Sequence, residues 1–84
     1  MFDLYCIVRS VTYAQKGIRA LEKNNIRARL LRSPRELSTA GCAYAICVRS
    51  EDLPAVKEIL SRAGIASGGC YKRLKDGGFI PVAL

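Results

Sequence analysis

Three segments of the chain combine apolar residues with a strand-like alternation. Residues 2–8 are rich in aromatic and β-branched side chains, and apolar residues fall on both sides of the predicted strand. Residues 42–48 have the same two-sided apolar character, which is typical of a strand in the centre of a sheet. In residues 26–31 the apolar positions alternate with Arg27 and Arg29, which predicts an edge strand with one charged face.

Two further segments space their apolar residues three and four apart, which predicts helices. The first helix begins at Ser10 or Thr12, both suitable N-caps, and ends at Asn24-Asn25. Its predicted buried stripe comprises Val11, Ala14, Ile18 and Leu21. The second helix begins at Ser50-Glu51-Asp52, where the hydroxyl is the expected N-cap, and ends at Gly64. Its predicted stripe comprises Val56, Ile59, Leu60 and Ala63.

The order of these elements predicts the fold class. A fourth strand is expected within residues 66–74, followed by a turn at Asp76-Gly77-Gly78. The resulting order is ferredoxin-like βαββαβ: an α+β fold with a four-stranded antiparallel sheet and two helices on one face. The first and third strands should be central, and the second sheet face should be open. We expect one domain over residues 1–84, with its core in residues 1–74 and a short apolar tail in residues 75–84.

The amino-acid composition limits the kinds of catalysis that the protein can perform. The 84 residues include 14 Lys and Arg, 7 Asp and Glu, no His and four Cys, for a net charge of +7. Without His, imidazole-based catalysis and most zinc hydrolases are excluded. The apolar run at residues 2–8 lacks a basic leader and is too short to span a bilayer, so we expect a cytoplasmic protein. In that compartment the cysteines are buried residues, reactive thiols or metal ligands rather than disulfides.

The connection between the second and third predicted strands is unusually long. It uses about ten residues, whereas hairpins usually need two to five, and extra loop length is often functional. It ends at Cys42, where positive charge, hydroxyls and backbone N–H groups would favour a thiolate. The candidate anion-binding residues are Arg35, Ser38, Thr39 and Gly41. Arg32 is a second source of positive charge. The alternative interpretation is that Cys42 is a small buried residue at the start of a strand.

The other three cysteines are weaker candidates. Cys6 and Cys47 lie within predicted central strands and are expected to fill the core. Cys70 follows Gly68-Gly69 and is expected near the surface, as a helper thiol or a plain surface cysteine. The sequence contains no Cys-x-x-Cys motif. Cys42 and Cys47 are five residues apart, an odd number that directs their side chains to opposite faces of one strand, so we expect no metal site. No Gly-rich phosphate loop is present, and we expect no cofactor.

The basic composition leaves nucleic acid as an alternative partner. RNA-recognition domains share the predicted topology and stack bases on aromatic residues of their central strands. Tyr5 and Tyr44 are placed on the two predicted central strands, although no ribonucleoprotein motif is present. The basic residues do not form one run: Arg27 and Arg29 lie towards one edge of the predicted sheet, and residues 72–75 towards the other. This interpretation is therefore less favoured.

Several short sequence segments of the chain resemble the selenium/sulfur carrier-like family, which comprises small bacterial proteins of about this length. They are Ser10-Val11-Thr12, Ser33-Pro34-Arg35-Glu36-Leu37-Ser38, the Gly41-Cys42 pair and Glu51-Asp52-Leu53. The similarity extends to about Tyr71. In the family pattern Cys precedes Gly, whereas Gly41 precedes Cys42 here.

The resemblance and the loop chemistry together predict a sulfur or selenium carrier rather than a stand-alone enzyme. Cys42 would hold a persulfide or selenopersulfide taken from a donor enzyme and pass it to an acceptor protein. One alternative is a non-enzymatic module in which Cys42 is structural and the sheet dimerises or binds a small anion or protein. The other is nucleic-acid binding through the basic surface, which would weaken steeply with salt. No membrane partner is expected.

Overall fold

The computed structural model describes residues 2–34, 37, 44–65 and 69–82. Within them the chain forms strands and helices in the predicted order, with one strand more than predicted. A 3₁₀ turn at Ser50–Asp52 precedes the second helix. The elements are β1 (Leu4–Val8), α1 (Val11–Lys23), β2 (Arg29–Arg32), β3 (Tyr44–Val48), α2 (Leu53–Arg62), β4 (Cys70–Arg73) and β5 (Phe79–Val82).

The strands form one antiparallel sheet in the order β2-β3-β1-β4-β5. β1 and β3 are interior strands and β2 is an edge strand, as predicted. The prediction of four strands is wrong, because the expected apolar tail turns back at Asp76 and pairs with β4. The turn is supported by the Gly78 N–H, which donates to Asp76 Oδ1 at 2.8 Å, and by Gly77 at φ +90°. The ferredoxin-like arrangement is therefore not fully matched: a fifth strand extends the sheet beside β4.

Both helices pack on the same face of the sheet, as predicted. The core between them contains alternate residues of the strands and the apolar stripes of α1 and α2. Val11, predicted to belong to the α1 stripe, is 36% exposed. The stripe instead runs through Ala14, Gly17 and Leu21. This core comprises Leu4, Cys6, Val8, Ala14, Leu21, Ile26, Ile46, Val48, Val56, Leu60, Ile65 and Cys70.

Gly17 sets how closely α1 approaches the rest of this core. A Cβ at this position would lie 2.7 Å from Ile46 Cδ1 and 3.1 Å from Leu60 Cδ2. Real Cβ atoms essentially never come within 3.0 Å of another heavy atom. The missing side chain thus lets α1 pack directly on β3 and α2.

The ends of α1 follow the sequence prediction. Of the two predicted N-caps, Ser10 is the one used, because its Oγ accepts the Tyr13 N–H at 3.2 Å. At the other end, Asn24 Nδ2 donates to the Ala20 carbonyl at 2.9 Å and Asn25 adopts φ 61°. A left-handed asparagine ends the helix and turns the chain towards β2.

The start of α2 departs from the prediction, because the Ser50 hydroxyl does not cap the helix. It donates instead to Asp3 Oδ2 at 3.0 Å, and the Ser50 N–H donates to Asp3 Oδ1 at 2.9 Å. The Asp3 carbonyl accepts the Arg73 N–H at 2.7 Å. Burial opposes ionisation of Asp3, but these bonds from Ser50 outweigh it and lower the pKa of the carboxyl. Asp3 therefore ties the start of β1 to the turn before α2 and to β4.

The sheet face opposite the helices is also covered, so the prediction of an open second face is wrong. Its buried residues are Tyr5, Ile7, Leu37, Ala45 and Cys47, with Phe2, Tyr71 and Phe79 packed against them. The Tyr5 and Phe79 rings meet edge-to-face with centroids 5.2 Å apart. The additional strand β5 thus supplies part of the cover. Neither helix of the described residues is long and apolar enough to cross a membrane.

Candidate functional site

The long loop predicted to carry the reactive cysteine leaves the sheet between β2 and β3. The last residue of β2, Arg32, pairs in register with the first residue of β3, Tyr44. The Arg32 guanidinium carbon lies 6.0 Å from the centre of the Tyr44 ring, within range of a cation–π contact. This pair joins the two ends of the loop and places a positive charge at its base.

Most of the predicted site lies outside the described residues. This applies to the candidate thiol and to all four candidate anion-binding positions, so their assignments stay predictions. They are Arg35, Ser38, Thr39, Gly41 and Cys42.

Leu37 anchors the middle of this loop on the face opposite the helices. Its side chain is 7% exposed and belongs to the cluster with Tyr5, Ile7 and Cys47. Its N–H donates to the Pro34 carbonyl at 2.9 Å. The burial of Leu37 was not predicted, although Leu37 is the one large apolar residue in an otherwise polar segment. Within the described part of the loop, Arg32 thus makes its contact at the base and Leu37 packs on the sheet.

Cys47 lies in the same cluster as Leu37 and is 1% exposed, which confirms it as a core residue. Burial raises the pKa of its thiol to about 11, and the positive charge of Arg29 partly offsets that rise. Arg29 is the register partner of Cys47 on β2, and its guanidinium also lies 5.2 Å from the Phe2 ring centre. At neutral pH the Cys47 thiol is almost entirely protonated and therefore a poor nucleophile.

Cys6 and Cys70 lie together on the helix-covered face. They are register partners on β1 and β4, and their sulfur atoms are 2.8 Å apart, with Cys70 Sγ donating to Cys6 Sγ. This contact and burial raise the pKa of the Cys6 thiol. Cys6 is 0% exposed, which confirms its predicted core position. Cys70 is 2% exposed, so the prediction that it lies near the surface is wrong, because its side chain packs in the helix-covered core next to Cys6.

Comparison of the chain with known protein families identifies one family. The model of the family described as "Putative Se/S carrier protein-like" matches residues 3–79, which is most of the chain. The chain belongs to this family. No curated protein and no solved structure matches it. The matched range includes the Cys42 loop and all four cysteines.

In this Se/S carrier-like chain the two tyrosines considered for base stacking do not form one platform. Tyr5 packs on the face opposite the helices, and Tyr44 packs against the helix-side core. Aromatic residues that stack successive bases must share one accessible face. The described residues also contain no group of three or more Cys, Asp or Glu that could hold a metal ion.

A basic groove runs along α1, beside the end of α2, in this Se/S carrier-like chain. Its volume is about 470 Å³, and its lining comprises Thr12, Gln15, Lys16, Arg19, Ala20, Lys23 and Ala63. The lining contains three cations and no carboxylate. Among the described residues, the ion pairs are Arg49–Glu51 and Arg62–Glu58, so none of the groove cations is neutralised.

Sequence analysis missed this groove because it divided the charge between the two edges of the sheet. The available signal was the spacing of Lys16, Arg19 and Lys23, which places three cations on one helix face.

Proposed function

We propose that this protein carries sulfur or selenium on Cys42 as a persulfide or selenopersulfide, between a donor enzyme and an acceptor protein. The observation that carries the proposal is the burial of Cys6, Cys47 and Cys70, each at most 2% exposed. A carrier thiol must meet the donor's reactive sulfur, and the three described thiols face the interior. The family match over residues 3–79 supports the same chemistry.

The transfer step is a thiol exchange. The Cys42 thiolate attacks the outer sulfur of a persulfide on the donor enzyme. A new sulfur–sulfur bond forms at Cys42, the donor's sulfur–sulfur bond breaks, and the donor cysteine leaves as a thiolate. The acceptor protein repeats the exchange with its own nucleophile, so no external oxidant or reductant is needed.

The chain has no His to deprotonate Cys42, so the thiolate must exist before the donor binds. In this proposal Arg35, the Ser38 and Thr39 hydroxyls and the Gly41 backbone N–H stabilise the anion. Arg32 supports them from the base of the loop, where its guanidinium lies over the Tyr44 ring. Charge and hydrogen bonds of this kind lower a thiol pKa.

The basic groove on α1 provides a docking surface for an acidic face of the donor. Lys16, Arg19 and Lys23 span about 10 Å of helix, at 1.5 Å per residue. α1 begins at Val11, shortly after Val8, and Val8 pairs with Tyr44 at the start of β3. The groove therefore starts at the end of the sheet from which the Cys42 loop leaves. Complementary charge at this position would steer the donor towards the loop.

The carrier step is tested by loading the protein. The wild type is incubated with a cysteine desulfurase and cysteine, and the intact mass is measured without reductant. We expect the wild type to gain the mass of at least one sulfur atom, and Cys42→Ala to gain none. Cys47→Ala and Cys70→Ala are the matched controls, because each removes one thiol of the same size elsewhere; both should load like the wild type.

Two results would contradict the carrier proposal. One is a wild type that gains no sulfur from an active desulfurase. The other is a Cys42→Ala variant that loads as much sulfur as the wild type.

The docking surface is tested by charge reversal. One triple variant replaces the three groove cations with Glu. A control triple variant replaces one Arg and two Lys that are exposed elsewhere with Glu, so that both variants change the net charge by the same amount. The groove variant is Lys16→Glu, Arg19→Glu and Lys23→Glu, and the control is Arg27→Glu, Lys57→Glu and Lys75→Glu. We expect the groove variant to load sulfur at least about tenfold more slowly and the control to change little. Equal slowing of both would show that the overall charge, rather than the groove, steers the donor.

A further inference from the structure

The hydrogen bonding between β1 and β4 defines the geometry of the Cys6–Cys70 pair. The Ile7 N–H donates to the Gly69 carbonyl at 3.0 Å, and the Arg73 N–H donates to the Asp3 carbonyl at 2.7 Å. Hydrogen-bonded and non-hydrogen-bonded pairs alternate along an antiparallel ladder. Cys6 and Cys70 are thus a non-hydrogen-bonded pair, the type in which facing side chains come closest.

This geometry is compatible with a covalent bond between the two sulfurs. Facing Cα atoms of a non-hydrogen-bonded pair are about 4.5 Å apart, within the roughly 4.4–6.8 Å that disulfides span. The two sulfur atoms already lie 2.8 Å apart. Cys47 cannot take the place of either thiol, because it lies on the opposite face of the sheet.

We propose that Cys6 and Cys70 form a disulfide site, closed by hydrogen peroxide and opened by a thiol reductant. One cysteine sulfur attacks the peroxide, the O–O bond breaks, and a sulfenic acid and one water form. The second thiol then displaces the sulfenic hydroxyl, which leaves with a proton as a second water. Two thiols are oxidised by two electrons, and one peroxide is reduced to two waters.

Burial determines how the site reacts. Cys6 is 0% and Cys70 2% exposed, so even a small oxidant reaches them only when β4 separates from β1. β4 and β5 lie at one end of the sheet order, and β4 joins β1 through three register pairs. Opening of this pair of strands admits the oxidant, and the disulfide then prevents further opening. The oxidised protein therefore has β4 and β5 fixed to the centre of the sheet.

The test uses the Cys42→Ala chain, so that the carrier thiol plays no part and this proposal can fail separately from the carrier proposal. The chain is treated with hydrogen peroxide, and the intact mass and non-reduced peptides are measured. We expect loss of two hydrogens, one cross-linked peptide joining Cys6 to Cys70, and full reversal by a thiol reductant. Amide exchange in residues 70–73 should slow at least tenfold on oxidation.

Matched variants in the same Cys42→Ala background complete the test. Cys47→Ala should leave the cross-link unchanged, and Cys70→Ala should abolish it; circular dichroism checks that both are folded. A folded Cys42→Ala chain that forms no Cys6–Cys70 cross-link would overturn the proposal. So would a cross-link to Cys47, or a Cys6–Cys70 bond that leaves amide exchange in β4 unchanged.

Discussion

The reactivity of the individual cysteines gives the sharpest test of the site, because the structure predicts very unequal rates. Burial raises the pKa of Cys47 from 9.0 to about 11. At pH 7 this higher pKa lowers the thiolate population of Cys47 about a hundredfold relative to that of an ordinary thiol. Its 1% exposure slows the reaction further, because alkylation then requires local opening. The pKa of Cys6 is raised as well, and its thiol is 0% exposed, so Cys6 should also react slowly.

Brief alkylation of the native protein with iodoacetamide, followed by peptide mapping, measures each rate. We expect Cys42 to react at least about a hundredfold faster than Cys47 at pH 7. Raising the pH towards 11 should increase the Cys47 rate progressively, because its thiol is half ionised only near pH 11, whereas an ordinary thiol is already half ionised at pH 9.0. In denaturant all four cysteines should react at similar rates. Native labelling of Cys47 or Cys6 within tenfold of Cys42 would refute this reasoning.

Three stability predictions follow from the described contacts, each measured by urea denaturation. Asp3→Ala should lower the free energy of unfolding by about 1–3 kcal/mol at pH 7, because both bonds from Ser50 are lost. Folding lowers the pKa of Asp3, so the stability difference between wild type and Asp3→Ala should persist above pH 3.8, the ordinary pKa, and shrink as the pH falls below it. A stability difference that does not change with pH would contradict the hydrogen bonds assigned to the Asp3 carboxylate. Gly17→Ala should lower the free energy of unfolding by about 1 kcal/mol, because crowding of the new Cβ against Ile46 exceeds the gain in helix propensity. A variant more stable than the wild type would contradict the close approach of α1 to β3. Ser10→Ala should cost about 1 kcal/mol through loss of the N-cap, and no change would mean that Ser10 does not cap α1.

Local patterns were sufficient to predict the centre of the fold. The two-sided apolar character of residues 2–8 and 42–48 correctly placed β1 and β3 in the sheet interior. Side-chain chemistry at Ser10 and Asn24 correctly placed the ends of α1. These features depend on residues close in sequence or on simple alternation.

Features that depend on pairing between distant residues were missed. β5 was taken for a tail, because four residues including Pro81 carry little strand signal until β4 offers a partner. Cys70 was expected near the surface because it follows two glycines, whereas its pairing with Cys6 directs it into the helix-side core. The contact between Cys6 and Cys70 depends on the register of β1 against β4, which no local pattern fixes.

The candidate site was predictable only in part. Loop length singled out the connection after β2, and its role as the functional site stays a prediction. The Arg32–Tyr44 contact defines the base of this loop. The anchoring of Leu37 was missed, because one apolar residue in a polar loop has no periodicity to reveal which surface it meets. The groove on α1 was missed because the basic residues were assigned to the two edges of the sheet and not to one face of α1.

The central position of β1 has a consequence for how this protein folds during its synthesis. β1 is made before both of its neighbours, β3 and β4, and Cys6 is made 64 residues before Cys70. Until then the growing chain exposes an apolar strand with both edges unpaired, a condition that favours aggregation. Such distant pairing also slows folding relative to helical proteins of similar size. Growing chains that end before β4 should therefore depend on chaperones more than chains that include β4 and β5.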